Sequence, residues 1–310
     1  MTPTAPTTDR HGELPRVGVT LPTFGPHAGP EAIVTVARAA DRLGLHSVAT
    51  TERLLLPAGD DWDNAYGLPE SYVWEPIEVL TWAAAHTERV RLATGIVNAL
   101  FQPPIVLARR LATLDRLSGG RLDVGLGQGW LPEEFVATTG TSPSRRGRGF
   151  EEHLAVMRAC WGPDPVEHHG EDHVIPTATV GPKPVRGADM PVLIGAVARP
   201  AVERAARLGG FVTGVRDWDT SATEIGWYRD AGGAGPVVVQ VMSTWGASRD
   251  EPVDAFAAWA VTEVDHAATV GADEVRFELN LTGVAIDRQV AALEALAAAL
   301  DLPSTGDPGR

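Results

Sequence analysis

Eight short β-branched runs alternate with longer segments of helical periodicity, and this alternation constrains the fold more than any other feature. The runs with strand character are Val17–Leu21, Ser47–Thr50, Val90–Val97, Arg121–Leu126, Val192–Ile194, Phe211–Thr213, Val237–Met242 and Glu274–Leu279. The helical segments are Glu31–Leu43, Pro76–Thr87, Pro104–Leu117, Phe150–Trp161, Pro200–Leu208, Ser221–Arg229, Pro252–Val270 and Asp287–Leu300. Such alternation is typical of parallel strands joined by crossover helices. Eight units predict an α/β fold of the closed (β/α)8 TIM-barrel type.

Uneven spacing between the units points to the functional face. The loop after strand 2 spans 51–75 and holds Trp62, Tyr66 and Trp74, and a second enlarged loop spans 127–149. A Pro/His-rich insertion between strands 4 and 5 follows at 162–191. Both enlarged loops come after strand carboxyl ends, where TIM barrels build their active sites. We expect one barrel domain at 16–302, a flexible leader at 1–15 and a tail at 303–310.

Charge and cysteine content exclude several classes of partner. The chain carries 26 Lys and Arg against 40 Asp and Glu, a formal net charge of −14. Such a chain repels nucleic-acid phosphates and anionic membranes, so neither is an expected partner. The lone Cys160 cannot form an intrachain disulfide, which favours the cytoplasm. No apolar run is long enough to span a bilayer.

The order of several motifs resembles the luciferase-like superfamily of flavin and deazaflavin oxidoreductases, in particular its branch that depends on coenzyme F420. The motifs are Ala39-Ala-Asp-Arg-Leu-Gly-Leu-His-Ser-Val-Ala-Thr-Thr-Glu-Arg-Leu54, Thr87–Val97, Ala108-Arg-Arg-Leu-Ala-Thr-Leu-Asp-Arg-Leu-Ser-Gly-Gly-Arg-Leu122, Gly125–Phe135 and Gly181-Pro-Lys-Pro-Val185. The resemblance covers nearly the whole chain, from about 17 to 300, and implies a TIM barrel, in agreement with the strand count.

The third strand ends at Thr94-Gly95-Ile96-Val97-Asn98. The resemblance implies a non-prolyl cis peptide between Gly95 and Ile96, which forms a bulge behind the deazaflavin ring. It therefore assigns Gly95, Ile96 and Asn98 to cofactor binding. The alternative is that Gly95 only accommodates the curvature of the barrel.

Alternating glycines follow in Gly125-Leu-Gly127-Gln128-Gly129-Trp130. Their spacing differs from the G-x-G-x-x-G dinucleotide fingerprint. Glycines two apart expose one bare face of a strand, so a flat ring can approach the backbone. We expect Gly127, Gln128 and Gly129 to border the cofactor and Trp130 to flank the ring, unless Trp130 is a core residue.

The fifth strand leads through Gly195-Ala196-Val197-Ala198-Arg199 directly into a helix. Backbone N–H groups at a helix start suit an anion. In the resembling enzymes this loop receives the cofactor phosphate, which assigns Gly195, Ala196, Val197 and Arg199 to cofactor binding. Ala196 replaces a glycine that is usual there, and an ordinary βα turn with a surface arginine is the alternative.

The second strand ends at Glu52-Arg53, where many resembling enzymes have an acidic residue followed by histidine. Arginine keeps its proton at neutral pH, so it can stabilise an anion but cannot act as an acid or base. We therefore assign the catalytic proton role to Glu52 and charge stabilisation to Arg53. A purely structural Glu–Arg ion pair is the alternative.

Two polar clusters carry weaker predictions. The cluster His168-His169-Gly-Glu171-Asp-His173 has metal-ligand residue types, but resembling chains carry a comparable polar hairpin without metal, so no metal is expected. Arg145-Arg146-Gly-Arg148 is a basic patch on an acidic chain. It suits either the anionic oligoglutamate tail of F420 or a solvated helix start.

Together the resemblance implies an F420-dependent oxidoreductase that transfers a hydride between deazaflavin C5 and a small organic substrate. The loop residues Trp62, Tyr66 and Trp74 are assigned to the substrate as a lid. Two alternatives stay open, an FMN-dependent monooxygenase of the same superfamily and a catalytically silent deazaflavin-binding protein. The resemblance also allows a homodimer.

Overall fold

The computed structural model describes residues 14–59, 62–64, 68, 70–139, 146–246 and 251–303. The predicted leader and most of the predicted tail therefore lie outside the described residues. The strands are β1 (Arg16–Thr20), β2 (Ser47–Thr50), β3 (Arg91–Thr94), β4 (Val97–Asn98), β5 (Leu122–Gly127), β6 (Val166–His169), β7 (Val174–Ala178), β8 (Val192–Gly195), β9 (Gly210–Val215), β10 (Val237–Met242) and β11 (Glu274–Glu278).

Helices separate the barrel strands. They are α1 (Pro30–Arg42), α2 (Pro76–Ala84), α3 (Pro104–Leu117), α4 (Pro132–Thr138), α5 (Arg146–Trp161), α6 (Arg199–Leu208), α7 (Trp218–Asp230), α8 (Val253–Thr269) and α9 (Ile286–Ala299). Five of these helices have proline in the first turn, where the missing N–H is no loss because that turn has no intrahelical acceptor for it. In the described part of the chain no helix is long and apolar enough to cross a bilayer.

The sheet closes on itself. Its strand order is β3-β2-β1-β11-β10-β9-β8-β5, and β5 also pairs with β3 in parallel register, Leu92 opposite Leu122. The short β4 continues β3 beyond a break at 95–96 and pairs with the end of β5. All pairings in this sheet are parallel. The predicted (β/α)8 TIM barrel is confirmed.

Two apolar layers hold the barrel together. The outward-facing strand residues pack against the helices in one large core, to which Val239, Val275 and Phe277 belong. A small separate cluster of Leu193, Val212 and Val238 lies on the inner face, with Ile96 packed against it. Alternation along each strand therefore assigns one side chain to the helices and the next to the barrel interior.

Two segments contain secondary structure that was not predicted from the sequence. Helix α4 lies inside the stretch that was predicted as the second enlarged loop, and α5 begins four residues before the predicted start at Phe150. The insertion between strands 4 and 5 forms the antiparallel hairpin β6–β7. The carboxylate of Glu152 fastens this hairpin to α5, because it accepts the backbone N–H groups of Asp172 and His173 at 3.0 and 2.8 Å.

Candidate active site

A cavity of about 250 Å³ opens at the carboxyl ends of the barrel strands. Strand ends from β3 to β10 and the start of α6 contribute to it. Its lining consists of Gly95, Ile96, Asn98, Gln128, Gly129, Trp130, Arg146, Gly195, Ala196, Val197, Ala198, Ala201, Val212, Thr213, Gly214 and Gln240. Nine of these sixteen were assigned to the cofactor from the sequence, so the structure brings most of the predicted site together at one face.

The peptide bond between Gly95 and Ile96 is cis, at the predicted position. The Ile96 side chain then lies between β5 and β8. A Cβ on Gly127 would stand 2.2 Å from Ile96 Cδ1, and a Cβ on Gly195 would stand 2.6 Å from the same atom. Glycine is needed at both positions because Ile96 fills the space. Gly127 was predicted to border the cofactor, but it lies behind Ile96 and does not line the cavity.

The segment after β5 forms one wall of the cavity. Gly129 has φ +71°, and a Cβ there would stand 2.7 Å from the Phe135 ring, so this turn requires glycine. Gln128 is buried and its Oε1 accepts a hydrogen bond from Arg204 at 3.2 Å. Trp130 is 41% exposed and lines the cavity, which makes it a wall residue and not part of the core.

Glu52 does not line the cavity directly but reaches it through Asn98. Its Oε2 accepts hydrogen bonds from the backbone N–H and from Nδ2 of Asn98, at 2.7 and 2.9 Å. Burial raises the pKa of the Glu52 carboxyl to about 7; the charges of Glu75 and Glu134 act in the same direction, and the two Asn98 hydrogen bonds oppose them. The carboxyl group is therefore able to exchange a proton near neutral pH.

Arg53 pairs with Glu134, and not with its chain neighbour Glu52. Its Nη1 lies 3.2 Å from Oε1 of Glu134, which is buried on α4, and that same oxygen accepts the backbone N–H of Leu54 at 2.9 Å. The Arg53 guanidinium also lies over the Trp130 ring, 4.9 Å from its centroid. The alternative of a Glu52–Arg53 ion pair is not what the structure shows, because Arg53 connects α4 to the aromatic wall of the cavity.

The loop before α6 lines the cavity from Gly195 to Ala198, and no side chain caps the helix start. Arg199 does not join this lining. Its Nε donates to Glu203 at 2.8 Å, one turn further along α6, and its guanidinium lies 5.9 Å from the Trp227 ring centroid. Among the described residues, the cation on the cavity wall is Arg146, the first residue of α5 and a member of the predicted basic patch. Arg145 of that patch lies outside the described residues.

The aromatic loop does not close over the cavity in the described residues. Trp74 donates its backbone N–H to Thr23, and its side chain, 42% exposed, lines an outer groove with Ile33 and Trp82. It therefore packs on α1 and α2, away from the strand ends. Trp62 is partly buried but does not line the cavity, and Tyr66 lies outside the described residues. The structure therefore does not bring Trp74 to the cavity, and its substrate role stays a prediction.

Several inward-facing residues on the last strands are absent from the sequence predictions. Gln240 on β10 lines the cavity, and Arg276 on β11 is fully buried, with its Nε 2.7 Å from Oε1 of Glu274. Further along β11, Glu278 is 1% exposed and accepts the backbone N–H of Asn280 at 2.7 Å. The signal was present in the sequence, because polar residues interrupt otherwise apolar strands at every second position.

The family model for luciferase-like monooxygenases matches residues 13–306, nearly the whole chain. The chain therefore belongs to the luciferase-like monooxygenase family, as the motif order had indicated. An uncharacterized protein of Mycobacterium tuberculosis is 38% identical over 149 residues, which cover 47% of this chain and 51% of that protein. The oxygenase component of a flavin-dependent trigonelline monooxygenase from Acinetobacter baylyi is 28% identical over 167 residues, covering 54% of this chain and 43% of that one. The chain thus spans about half the length of these curated relatives.

Solved structures match over almost the full chain. The monooxygenase RslO1 from Streptomyces bottropensis has a TM-score of 0.72 at 25% identity, covering 92% of this chain and 98% of that one. An F420-dependent secondary alcohol dehydrogenase, solved with an F420–acetone adduct, has a TM-score of 0.70 at 18% identity, with coverages of 92% and 99%. The F420-dependent tetrahydromethanopterin reductase from Methanopyrus kandleri has a TM-score of 0.68 at 16% identity, with coverages of 94% and 100%. The last two show a shared fold.

Proposed function

We propose that this chain is an F420-dependent oxidoreductase that acts on a small organic substrate. The observation that carries the proposal is the course of the cavity, from the Gly95–Ile96 bulge to the uncapped start of α6, with Arg146 on its wall. A planar ring, a phosphodiester and an anionic tail fit these three features in that order. The deazaflavin supplies two-electron hydride chemistry when it is bound.

The residues that would hold the cofactor follow from the lining. Ile96 and Gly129 offer apolar and bare surface for the ring, and Trp130 flanks it. The Ala196 N–H donates to the Val212 carbonyl at 3.3 Å, so the phosphate would be held by the N–H groups beyond it, at Val197 and Ala198, together with the helix dipole of α6. Buried donors also fit the polar edge of a ring, because the Nε2 of Gln240 has no hydrogen-bond partner among the described residues.

Glu52 is the group we assign to proton exchange. Its raised pKa lets the carboxyl group give or take a proton near pH 7, and the Asn98 amide that it contacts lines the cavity. Arg53 is fixed between Glu134 and Trp130, where its charge favours an anionic substrate oxygen next to the aromatic wall.

An FMN-dependent monooxygenase is the second candidate. It is favoured by the monooxygenase neighbour at 25% identity and by the flavin-dependent relative from Acinetobacter baylyi. The ring surface and the α6 start suit FMN equally well. The two cofactors differ beyond the phosphate, where F420 carries an anionic tail and FMN has no further group.

Parallel titrations of the purified protein with F420 and with FMN test the proposal. We expect F420 to bind more tightly than FMN, and Arg146→Ala to weaken F420 binding about three- to tenfold while FMN binding changes less than twofold. Arg207→Ala is the matched control, because Arg207 pairs with Glu151 at 3.2 Å on the outer side of α6. Tighter binding of FMN, with oxygen consumption by the reduced complex, would establish the monooxygenase instead.

A further inference from the structure

Gln240 is the polar residue on the inner face of β10, whose other described residues are valines and one methionine. It is 8% exposed and lines the cavity, and its Nε2 has no hydrogen-bond partner among the described residues. A buried amide donor without an acceptor is unfavourable, so a native structure that keeps one calls for an explanation.

Neither strand beside β10 provides the missing acceptor. Gln240 is paired in register with Arg276 on β11 and with Gly214 on β9. A guanidinium group has only donors, and glycine has no side chain. Neither in-register neighbour supplies an acceptor, which leaves a ligand in the cavity that Gln240 lines as the acceptor we consider.

Arg276 also sets the direction of the carboxamide. Two bonds to Glu274, at 2.7 and 3.2 Å, and one to Ser47, at 3.2 Å, fix the guanidinium. Its Nη1 has no hydrogen-bond partner in the part of the chain that the structure describes, and it lies 3.9 Å from where a Cβ of Gly95 would be. A positive charge beside a carboxamide attracts its oxygen and repels its N–H groups. We therefore place the Gln240 donor on the side of β9, away from the guanidinium on β11.

On that side there is room. A Cβ on Gly214 would meet no atom of the described residues within 4 Å, and Gly214 and Thr213 both line the cavity. Gly214 has no positive φ that would require glycine for conformational reasons. The bare position therefore leaves space for a ligand atom next to the amide donor.

We infer that Gln240 donates a hydrogen bond to a carbonyl oxygen of the cofactor's pyrimidinedione ring, that this oxygen occupies the space beside Gly214, and that Arg276 positions the amide. The inference rests on the proposed function and deepens it. F420 and FMN both carry this ring, so the assignment holds for either cofactor. Negative charge on the reduced ring strengthens the bond, since hydrogen bonds to charged acceptors are about twice as strong as neutral ones.

Gln240→Leu, which keeps the size and removes the donor, is the primary test. We expect binding of the oxidised cofactor to weaken about tenfold and binding of the reduced cofactor to weaken further, so that the reduction potential of the bound cofactor falls. The shift of the cofactor absorption band on binding is expected to disappear as well. Gln102→Leu, the same chemical change outside this cavity, is the control and is expected to change neither property.

Two further variants test the geometry. Gly214→Val fills the space beside the amide, and we expect it to block cofactor binding while the circular dichroism spectrum stays unchanged. Arg276→Lys keeps the charge next to Glu274 but loses the fixed planar fork. We expect it to reduce the difference in affinity between reduced and oxidised cofactor, a ratio that a purely structural role for Arg276 would leave unaltered.

The outcomes separate the inference from the proposed function. If the wild-type protein binds neither F420 nor FMN, the proposed function is overturned and the role of Gln240 with it. If the wild-type protein binds one of them and Gln240→Leu binds it equally tightly, with the same absorption band, the Gln240 assignment alone is wrong. Unimpaired binding by Gly214→Val would overturn the location of the carbonyl oxygen.

Discussion

Glu274 and Asp123, at the amino end of the barrel interior, pair with arginines, whereas Glu52 and Glu278, at the carboxyl end, lie beside asparagine amides. Arg91 donates two hydrogen bonds to Asp123, at 2.5 and 2.6 Å, and Arg276 donates two to Glu274, at 2.7 and 3.2 Å. At the other end, Glu52 and Glu278 accept their hydrogen bonds from asparagine. The two ends therefore use the same residue type in different ways.

The partners decide the protonation state. Burial acts to raise the pKa of Glu274, but the charge and hydrogen bonds of Arg276 outweigh it and hold that pKa below its ordinary value. Burial raises the pKa of Glu278 to about 7, and the hydrogen bonds from Asn280 only limit the rise. A cation keeps one carboxyl group ionised and inert, while an amide leaves the other able to titrate near neutrality. Proton chemistry is therefore available at the end that holds the cavity.

The largest effect is expected at the paired end. Glu274→Ala leaves Arg276 buried without its counter-ion, and breaking such a pair costs about 3–5 kcal/mol of unfolding free energy. Urea unfolding of purified protein measures it. Glu294→Ala, which breaks the exposed pair with Arg42 at 2.7 Å, is the control and is expected to cost less than about 1 kcal/mol. Equal losses in the two variants would contradict the contrast between the ends.

The second prediction concerns pH. The pKa of Glu278 is about 7 in the folded chain and near 4.5 when unfolded, so the folded state holds the proton more tightly and stability falls as pH rises between those values. The loss is at most about 3 kcal/mol for a shift of this size. Glu278→Gln is expected to be more stable than wild type at pH 8 and to lose less stability between pH 5 and 8.

Glu52→Gln is expected to act in the same direction, because the Glu52 pKa is raised to a similar value. Unfolding curves at pH 5 and pH 8 for the two single variants and the double variant measure this effect. The double variant should show the weakest pH dependence. If the unfolding free energy of the variants changes between pH 5 and pH 8 as much as that of the wild type, neither carboxyl group titrates in this range.

The third prediction tests the apolar part of the cavity end. Gly195→Ala places a methyl group 2.6 Å from Ile96 Cδ1, and overpacking of this kind costs about 1–3 kcal/mol. We expect cofactor affinity to fall along with stability, since Ile96 must move into the cavity. Ile96→Val removes the atom that collides, so the double variant should recover most of both losses. No recovery would mean that the glycine serves the ligand directly.

The smallest effect is expected for a charge at the cavity end that faces outward. Arg199→Ala removes an exposed pair with Glu203, and such pairs contribute about 0.5 kcal/mol. Cofactor affinity should stay within twofold of wild type in an equilibrium titration, because Arg199 does not line the cavity. Tenfold weaker binding by Arg199→Ala would show that Arg199 contributes to the phosphate site, as the sequence predicted.

Local patterns were enough to predict the barrel. Strand runs such as Val237–Met242 and the glycine turns after helices are encoded within a few residues, and the motif order located the Gly95–Ile96 cis bond. Contacts between distant segments were beyond such patterns. The pairing of Arg53 with Glu134 depends on where α4 comes to lie after folding. The pair of Arg199 with Glu203, by contrast, is a local i,i+4 contact within α6 that the spacing of the two residues already allowed.

The direction in which inner side chains point is encoded in the alternation of residue types along a strand. In Glu274-Val-Arg-Phe-Glu278, alternation places three charged residues on one face of a buried strand. That face can only be the barrel interior, since the helices cover the other. The surroundings of Gly127 could not be predicted for a related reason, because bare backbone in a sequence does not say whether a ligand or a neighbouring side chain fills the space.

The contacts of Ile96 have a consequence for redesigning this cavity. Because Ile96 Cδ1 meets the space above both Gly127 and Gly195, these three positions form one steric unit drawn from three strands. A larger residue at Gly127 or Gly195 alone is expected to collide with Ile96. To fit the cavity to a larger or smaller ring, residues 96, 127 and 195 therefore have to be changed together.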